Sequence, residues 1–185
     1  PPLFDIPAKQ ICIGETVDIA KLIQASDMQL TFHKSELEAS SNFVMDATLV
    51  APSISTIYYV KAIETHDSTL VCEAVSEIKI QVNPFPGLEV TNTEICMGER
   101  IDLNDQVATA SNNRLTYYSS SEDAIDGVNP MNSVNLYPSI TTDYFVKATD
   151  VSNTTYCSSI ETLTITVNPL PNVTVVPAEI CSGDT

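Results

Sequence analysis

The sequence predicts an all-β chain of two tandem antiparallel β-sandwiches arranged as a semi-rigid rod. Three observations lead there: a set of landmarks recurs at a fixed period, short segments alternate apolar and polar residues, and no stretch sustains a helical apolar spacing. Ile11-Cys12-Ile13-Gly14-Glu15-Thr16-Val17-Asp18-Ile19 returns as Ile95-Cys96-Met97-Gly98-Glu99-Arg100-Ile101-Asp102-Leu103 and starts again at Ile180-Cys181-Ser182-Gly183-Asp184-Thr185. The cysteines of these three copies lie 84 and 85 residues apart, and Cys72 and Cys157 are 85 apart. The expected organisation is one repeat over 1–83, a Pro-rich linker over 84–87, a second repeat over 88–168, and a linker with the first strand of a third repeat over 169–185. A third copy that has only begun marks the sequence as a piece of a longer chain.

In the first repeat, residues 16–23 are expected as a strand turning Val17, Ile19 and Leu22 inward. Residues 29–34 place Leu30 and Phe32 on one face, and residues 43–50 form a further apolar strand ended by Pro52. Residues 57–64 make the strongest strand, since β-branched and aromatic side chains fit a pleated, half-buried surface. After a polar turn over 65–68, residues 75–82 alternate Ile78, Ile80 and Val82 with Glu77, Lys79 and Gln81. The second repeat answers at 101–103, 115–118, 134–137, 144–149 and 163–167. A leading strand near Val90, copied over 173–176, brings the expected count to six or seven per repeat, and two packed layers bury one face of each.

Tyr58-Tyr59-Val60 and Tyr144-Phe145-Val146 each begin a strand just after a Ser/Thr-rich turn. This resembles strand F of immunoglobulin domains, where a tyrosine two residues before a buried position ties down a corner of the sandwich. Tyr58 and Tyr144 are the corner residues in this reading, and Val60 and Val146 stand where a cysteine would close the usual inter-sheet bond. Ile19 and Leu103 fill the opposite place, so aliphatic packing closes an immunoglobulin-like core. Between repeats, Pro84 and Pro86, and then Pro169 and Pro171, remove donors and hold their predecessors extended. Such a linker is a stiff spacer, and each repeat advances the rod by roughly 40 Å at the usual strand rise.

The formal net charge is −16, from 24 acidic and 8 basic residues. That surface repels phosphate backbones and anionic lipid, which argues against nucleic acid as a partner. Membrane insertion is not expected either, because no apolar run reaches the length of a span. Five cysteines at recurring positions point to disulfides and an oxidising, extracytoplasmic site. Two kinds of pairing stay open. Within repeats the bonds are Cys12–Cys72 and Cys96–Cys157, with Cys181 awaiting a partner. Across a junction they are Cys72–Cys96 and Cys157–Cys181, or Cys12–Cys157. An immunoglobulin register puts Cys12 and Cys72 at opposite ends of a sandwich, farther apart than the roughly 7 Å Cα limit of a disulfide.

No cofactor is expected. The acidic stretches holding Asp102 and Asp105, and Asp123 and Asp126, offer oxygen ligands that calcium could use, without the spacing of a known calcium loop. Solvated acidic turns are the favoured reading of both stretches. His33 stands where the other repeat has Tyr118, and the adjacent His66-Asp67-Ser68 is no triad, because a triad draws its members from distant segments. With no catalytic motif, and no catalytic group repeated between copies, enzyme activity is not expected. Asn153-Thr154-Thr155 and Asn172-Val173-Thr174 satisfy the N-glycosylation sequon. Asp67-Ser68-Thr69 is similar to an O-glycosylation site described for Bacteroidota. Tyr117, Tyr118 and Tyr137 could stack on sugars if exposed, although tyrosine on a half-buried strand is more often core. The hairpin turns over 65–71 and 150–156 differ most between repeats, and specific contacts are expected there.

Taken in order, Ile-Cys-x-Gly-Glu/Asp, Pro-Ser-Ile-Ser/Thr-Thr-x-Tyr-Tyr/Phe-Val-Lys-Ala, a cysteine opening the last strand, and Val-Asn-Pro-x-Pro form a repeat signature. It resembles the Ig-like or PKD-like repeats of giant Bacteroidota surface proteins, in particular the SprB-like gliding-motility adhesins. The likeness covers both repeats and the stub of the third, but the tryptophan and WDFGDG-type motif of PKD domains are absent. The resemblance implies a filament exported by type IX secretion and associated with the outer surface. Its partners would be neighbouring repeats, surface polysaccharide or a solid substratum, with the motility and secretion machinery engaged through other parts of the parent chain. A reading from another class makes these repeats non-catalytic spacer or carbohydrate-binding modules of a secreted polysaccharide-degrading enzyme.

Overall fold

The computed structural model describes residues 6–24, 28–66 and 70–176. In order, the first repeat carries β1 (Lys9–Cys12), β2 (Val17–Asp18), β3 (Gln29–His33), α1 (Glu36–Ser41), β4 (Leu49–Val50), β5 (Thr56–His66) and β6 (Leu70–Asn83). The second carries β7 (Leu88–Val90), β8 (Thr93–Cys96), β9 (Ile101–Asp102), β10 (Val107–Thr109), β11 (Asn113–Tyr118), α2 (Ser121–Asp126), β12 (Asn135–Leu136), β13 (Thr142–Asp150) and β14 (Ser158–Asn168). The chain parts into two compact units. One takes in residues 1–87 with 110–114 and 148–159, and the other takes in 88–109, 115–147 and 160–185.

Both repeats use one topology. In the first, a four-stranded sheet runs β1-β6-β5-β3, faced by the pair β2-β4. β1 lies parallel to β6, while β6, β5 and β3 are antiparallel neighbours. In the second, the order is β8-β14-β13-β11, with the pair β9-β12 and an extra pair β7-β10. This is an immunoglobulin-like sandwich, with a first strand running parallel to the last.

Each core follows from strand alternation. Ile78 and Ile80 of β6 face inward with Tyr58 and Val60 of β5, Phe32 of β3, and Val17 and Ile19 from the second layer. The second repeat substitutes Leu163, Ile165, Tyr144, Val146, Tyr117, Ile101 and Leu103 position for position. Ile19, Val60, Leu103 and Val146 are fully buried, so aliphatic side chains do close the cores where an inter-sheet disulfide is usual. Tyr58 and Tyr144 are buried in the same clusters.

Several elements differ from expectation. The strand expected over 16–23 stops at Asp18, whose carboxylate accepts from Ala20 N–H and caps a 3-10 turn over Ile19–Leu22. The apolar strand expected over 43–50 shrinks to β4, and Phe43 and Val44 are exposed. The sequence reading found no helix, yet each repeat has one of six residues. Under two turns, they leave no readable 3.6-residue period.

These helices are held by caps. Ser35 accepts from Glu38 N–H at 3.2 Å, and Glu38 returns a carboxylate to Lys34 N–H at 2.8 Å. Ser120 and Asp123 repeat the first of these bonds. Asn42 and Gly127 end the helices in the left-handed conformation, with φ of 57° and 70°. α1 packs on β3 and β5, covering the face opposite the core. That explains why Lys61 and His33 are buried although the apolar alternation points them outward. Lys61 donates to Asn42 Oδ1 at 2.8 Å and pairs with Glu73 at 2.8 Å. Lys147, its counterpart, donates to the Ala124 carbonyl at 2.9 Å, at the end of α2.

Candidate functional site

The site grows out of the Cys-x-Gly-Glu motif. After β1 the chain reverses in a tight turn with Gly14 at φ 85°, a conformation that a residue with a Cβ adopts only under strain. Glu15 N–H donates to the Cys12 carbonyl at 3.1 Å, and the Glu15 carboxylate accepts from Cys12 N–H at 2.7 Å. Ile13 N–H donates to the Asn83 carbonyl at 2.9 Å, tying the turn to the end of β6. The motif thus spends its glycine and glutamate on holding one cysteine in a fixed pose.

That cysteine is bonded. Cys12 and Cys157 form a disulfide with a Cα–Cα distance of 5.6 Å, closing a sequence separation of 145 residues. Both partners are buried. Of the pairings open to sequence reading, this is one of those that join cysteines of successive repeats. The within-repeat bonds Cys12–Cys72 and Cys96–Cys157 do not form: Cys72 and Cys96 are free thiols, half-buried and exposed respectively. The physical reason is the sandwich itself. Cys12 pairs with Asn83 at one end of β6, whereas Cys72 pairs with Glu64 near the other end. Cys181 lies outside the described residues.

The other half of the bond is presented by residues 150–157, which belong to the same compact unit as Cys12. Asp150 organises this loop. Its carboxylate accepts from Ser152 Oγ at 2.6 Å, Ser152 N–H at 2.8 Å, Asn153 Nδ2 at 2.8 Å and Asn112 Nδ2 at 3.1 Å. Those bonds, the Ser152 hydroxyl first, hold the Asp150 carboxyl below its ordinary range against a small opposing effect of burial. Asn153 Oδ1 accepts from Thr155 N–H at 3.0 Å, and Tyr156 takes a positive φ of 52°. Thr155 Oγ1 accepts from Asn83 Nδ2 at 3.1 Å, and the Asn83 carbonyl oxygen lies 3.9 Å from the Cys157 sulfur. Asn83 of the Val-Asn-Pro motif therefore touches both halves of the clasp. Sequence reading placed Asn83 only as a linker boundary, and the network linking it to Asp150 spans segments too distant for spacing to expose.

The remaining candidates fall elsewhere. Among the described residues, no three histidine, cysteine or acidic side chains gather so as to hold a metal ion. Asp102 accepts from Asn104 N–H at 2.9 Å as a cap, and Asp123 accepts from Ser120 Oγ at 2.8 Å and Asn129 Nδ2 at 2.9 Å. Asp105 lies in the 3-10 turn over Leu103–Gln106, and Asp126 closes α2. The calcium candidates are thus local structure in turns and short helices. Tyr117 and Tyr118 are buried and cannot offer a stacking face, whereas Tyr137 is exposed. Tyr117 donates to Asn104 Oδ1 at 2.8 Å, and burial together with the Asp102 charge pushes its phenol up to about 12. His33 Nδ1 donates to the Phe43 carbonyl at 2.6 Å and Nε2 sits 2.9 Å from Thr31 Oγ1, which makes it a satisfied core histidine. The Asn153 sequon is engaged in the Asp150 loop, while Asn172 is exposed. The segment Asp67-Ser68-Thr69 lies outside the described residues. Among the described residues no helix is long and apolar enough to cross a membrane.

Residues 91–171 are similar to a family described as the Flavobacterium inter-domain disulphide bond domain. No curated protein matches the chain. Among solved structures, it resembles a three-immunoglobulin-domain fragment of titin at 10% identity and a TM-score of 0.37, covering 88% of this chain and 63% of that one. A Drosophila N-cadherin fragment is similar at 15% identity and a TM-score of 0.35, over 79% of this chain and 57% of that one. The insect immune protein hemolin is similar at 9% identity and a TM-score of 0.35, over 89% and 46%. The chain thus spans less than two thirds of the length of each of these structures.

Proposed function

We propose that this chain is a structural and adhesive segment of a large secreted cell-surface filament, with a gliding-motility adhesin as the specific reading. The observation that carries it is the Cys12–Cys157 bond, which ties cysteines of successive repeats into one covalent loop. A module built to recognise a small ligand gains little from such a bond, whereas a segment that transmits load gains directly. A structural disulfide also belongs to an oxidising, extracytoplasmic setting. Adhesion in this reading is multivalent, with many weak contacts along a repeated surface.

The test is labelling of living producer cells with antibodies raised against residues 1–185. Label on the surface that travels along moving cells supports the motility adhesin. Static surface label keeps the filament and removes the motor. Label found only in the medium with a polysaccharide-degrading activity overturns the proposal in favour of spacer modules of a secreted enzyme. The burial of Tyr117 and Tyr118 already weakens a sugar-binding platform.

A further inference from the structure

We propose that Lys61 and Asn42 join in an intramolecular isopeptide bond, with Glu73 as the catalytic residue that carries the proton. The reactants are an amine on β5, a carboxamide at the end of α1 and a carboxylate on β6. All three lie within the first repeat. The bond needs no neighbouring copy and is independent of the filament reading.

Lys61 stands on the sheet face that α1 covers, and its side chain is buried. Its Nζ donates to Asn42 Oδ1 at 2.8 Å and lies 2.8 Å from Glu73 Oε2. One amine therefore touches both the carbonyl it would attack and the carboxylate that would take its proton, which is the reach that nucleophilic and general-base chemistry require. Strand register explains the meeting. Lys61 pairs with Val75 and Ile63 pairs with Glu73, so Lys61 and Glu73 are diagonal neighbours on one face. Asn42 is fixed as the left-handed cap of α1 at φ 57°, with its N–H donating to the Glu38 carbonyl. Secondary structure thus holds the reacting groups together, and little entropy is left to lose in bringing them into line.

The second repeat keeps the lysine and lacks the other two groups. Lys147 takes the place of Lys61, Gly127 takes that of Asn42 at the end of α2, and Ser158 follows Cys157 as Glu73 follows Cys72. A Cβ at Gly127 would lie 3.7 Å from Lys147 Nζ. The cap position therefore aims its side chain at the lysine in either repeat, and the first repeat fills it with a carboxamide. Lys147 instead donates to the Ala124 and Ile125 carbonyls, at 2.9 and 3.4 Å. Glycine ends α2 in the same left-handed conformation, so capping alone does not call for the asparagine, nor for the glutamate beside it.

The step balances without an oxidant or cofactor. The Lys61 ammonium passes one proton to the Glu73 carboxylate, and the free amine adds to Asn42 Cγ as the carbonyl electrons move onto Oδ1. Glu73 relays a proton from Nζ to Nδ2, the Cγ–Nδ2 bond breaks, and the carbonyl re-forms as ammonia leaves. The ammonia takes the first proton away as ammonium, so Glu73 ends as the carboxylate it began as. Asn42 is exposed, which gives the leaving group a path to solvent. Each chain reacts once, as a self-modification without turnover. The product ties the end of α1 to β5 through an amide, which dithiothreitol does not open as it would Cys12–Cys157.

The experiment measures the mass of the reduced 185-residue chain and maps it with trypsin. The expected chain is lighter by one ammonia. The loss falls in the peptide 35–79, which trypsin leaves uncut after Lys61 because an acylated lysine is not a substrate. Cleavage after Lys147 serves as control. Asn42→Gly reproduces the cap of the second repeat and should show its full calculated mass and the cut after Lys61. Glu73→Gln keeps the shape, removes the proton carrier, and should leave the freshly purified chain at full mass. Full mass in the parent chain with a cut after Lys61 overturns the bond. So does loss of ammonia with that cut retained, the signature of Asn42 closing on the Phe43 backbone as a succinimide. A crosslink that forms equally in Glu73→Gln overturns the catalytic role of Glu73.

Discussion

Glu15 and Cys12 hold each other through a reciprocal pair of backbone and carboxylate hydrogen bonds, at 3.1 and 2.7 Å, and Glu99 and Cys96 repeat the pair at 3.0 and 2.8 Å. The glutamate of the repeat motif is therefore a positioning residue for a sulfur atom. Glu15→Ala leaves Cys12 N–H without its partner and costs about 1 kcal/mol, the usual scale for a capping-type bond. The expected outcome is a disulfide that dithiothreitol reduces faster in the variant than in the parent chain, followed by thiol titration. Equal reduction rates would remove Glu15 from this role.

The disulfide closes a long loop, so its loss is costly. In a chain-entropy treatment, a loop of this length is worth at most about 5 kcal/mol. Cys157→Ser is expected to lower the urea midpoint of the unit that contains Cys12, and Cys12→Ser with Cys157→Ser together no further than either alone. If the double variant falls well below both single variants, the two sulfurs act through separate contacts.

The lysines that meet the two helices, Lys61 buried and Lys147 half-buried, carry a further prediction. Lys61 is 6% exposed and serves Asn42, and Lys147 serves the last carbonyls of α2. Replacing either by Met keeps the stem and deletes a charge-assisted bond, which costs about 1–3 kcal/mol. Chemical denaturation of each variant measures it, with Lys79→Met as a control, since that lysine is exposed.

Much of the fold was legible because it obeys period two. Ile78, Ile80, Leu163 and Ile165 announce their strands and their inward faces without ambiguity. The helices were not legible as periodicity, but Ser35-x-x-Glu38 and Ser120-x-x-Asp123 are capping signals that spacing alone could have exposed. Lys61 and Lys147 looked like outward strand residues because the helix that covers them had gone unread. The cysteines were recognisable as a set, and their connectivity was not. Choosing Cys157 over Cys72 as the partner of Cys12 depends on which segments meet at one end of a sandwich, and that is set by Asn83, Thr155 and Asp150 from distant parts of the chain.

The pH dependence of the clasp follows from Asp150. Its folded-state pKa lies below the ordinary 3.8, chiefly because of the Ser152 hydrogen bonds. A depressed folded value means that ionised Asp150 supports the loop above the unfolded pKa, and that this support is lost as pH falls through the folded one. The protection of the residue 150–157 amides, taken relative to their intrinsic exchange rates at each pH, is expected to fall as the pH drops below about 4. Asp150→Asn should flatten that dependence. A variant that retains it would assign the effect to another carboxylate.

The last prediction concerns load. When the chain is pulled from both ends, tension passes from Cys12 through the disulfide to Cys157, and the residues between them bear none of it. The sequence separation of 145 residues then stays hidden even if the strands inside the loop unfold. At about 3.4 Å per extended residue, this withholds about 500 Å of contour length. In single-molecule pulling, the oxidised chain should extend about 500 Å less than the same chain in dithiothreitol, and Cys157→Ser should extend like the reduced chain without reductant. Equal contour lengths before and after reduction would mean that the bond does not carry the load, and a mechanical role for the inter-repeat clasp would fall with it.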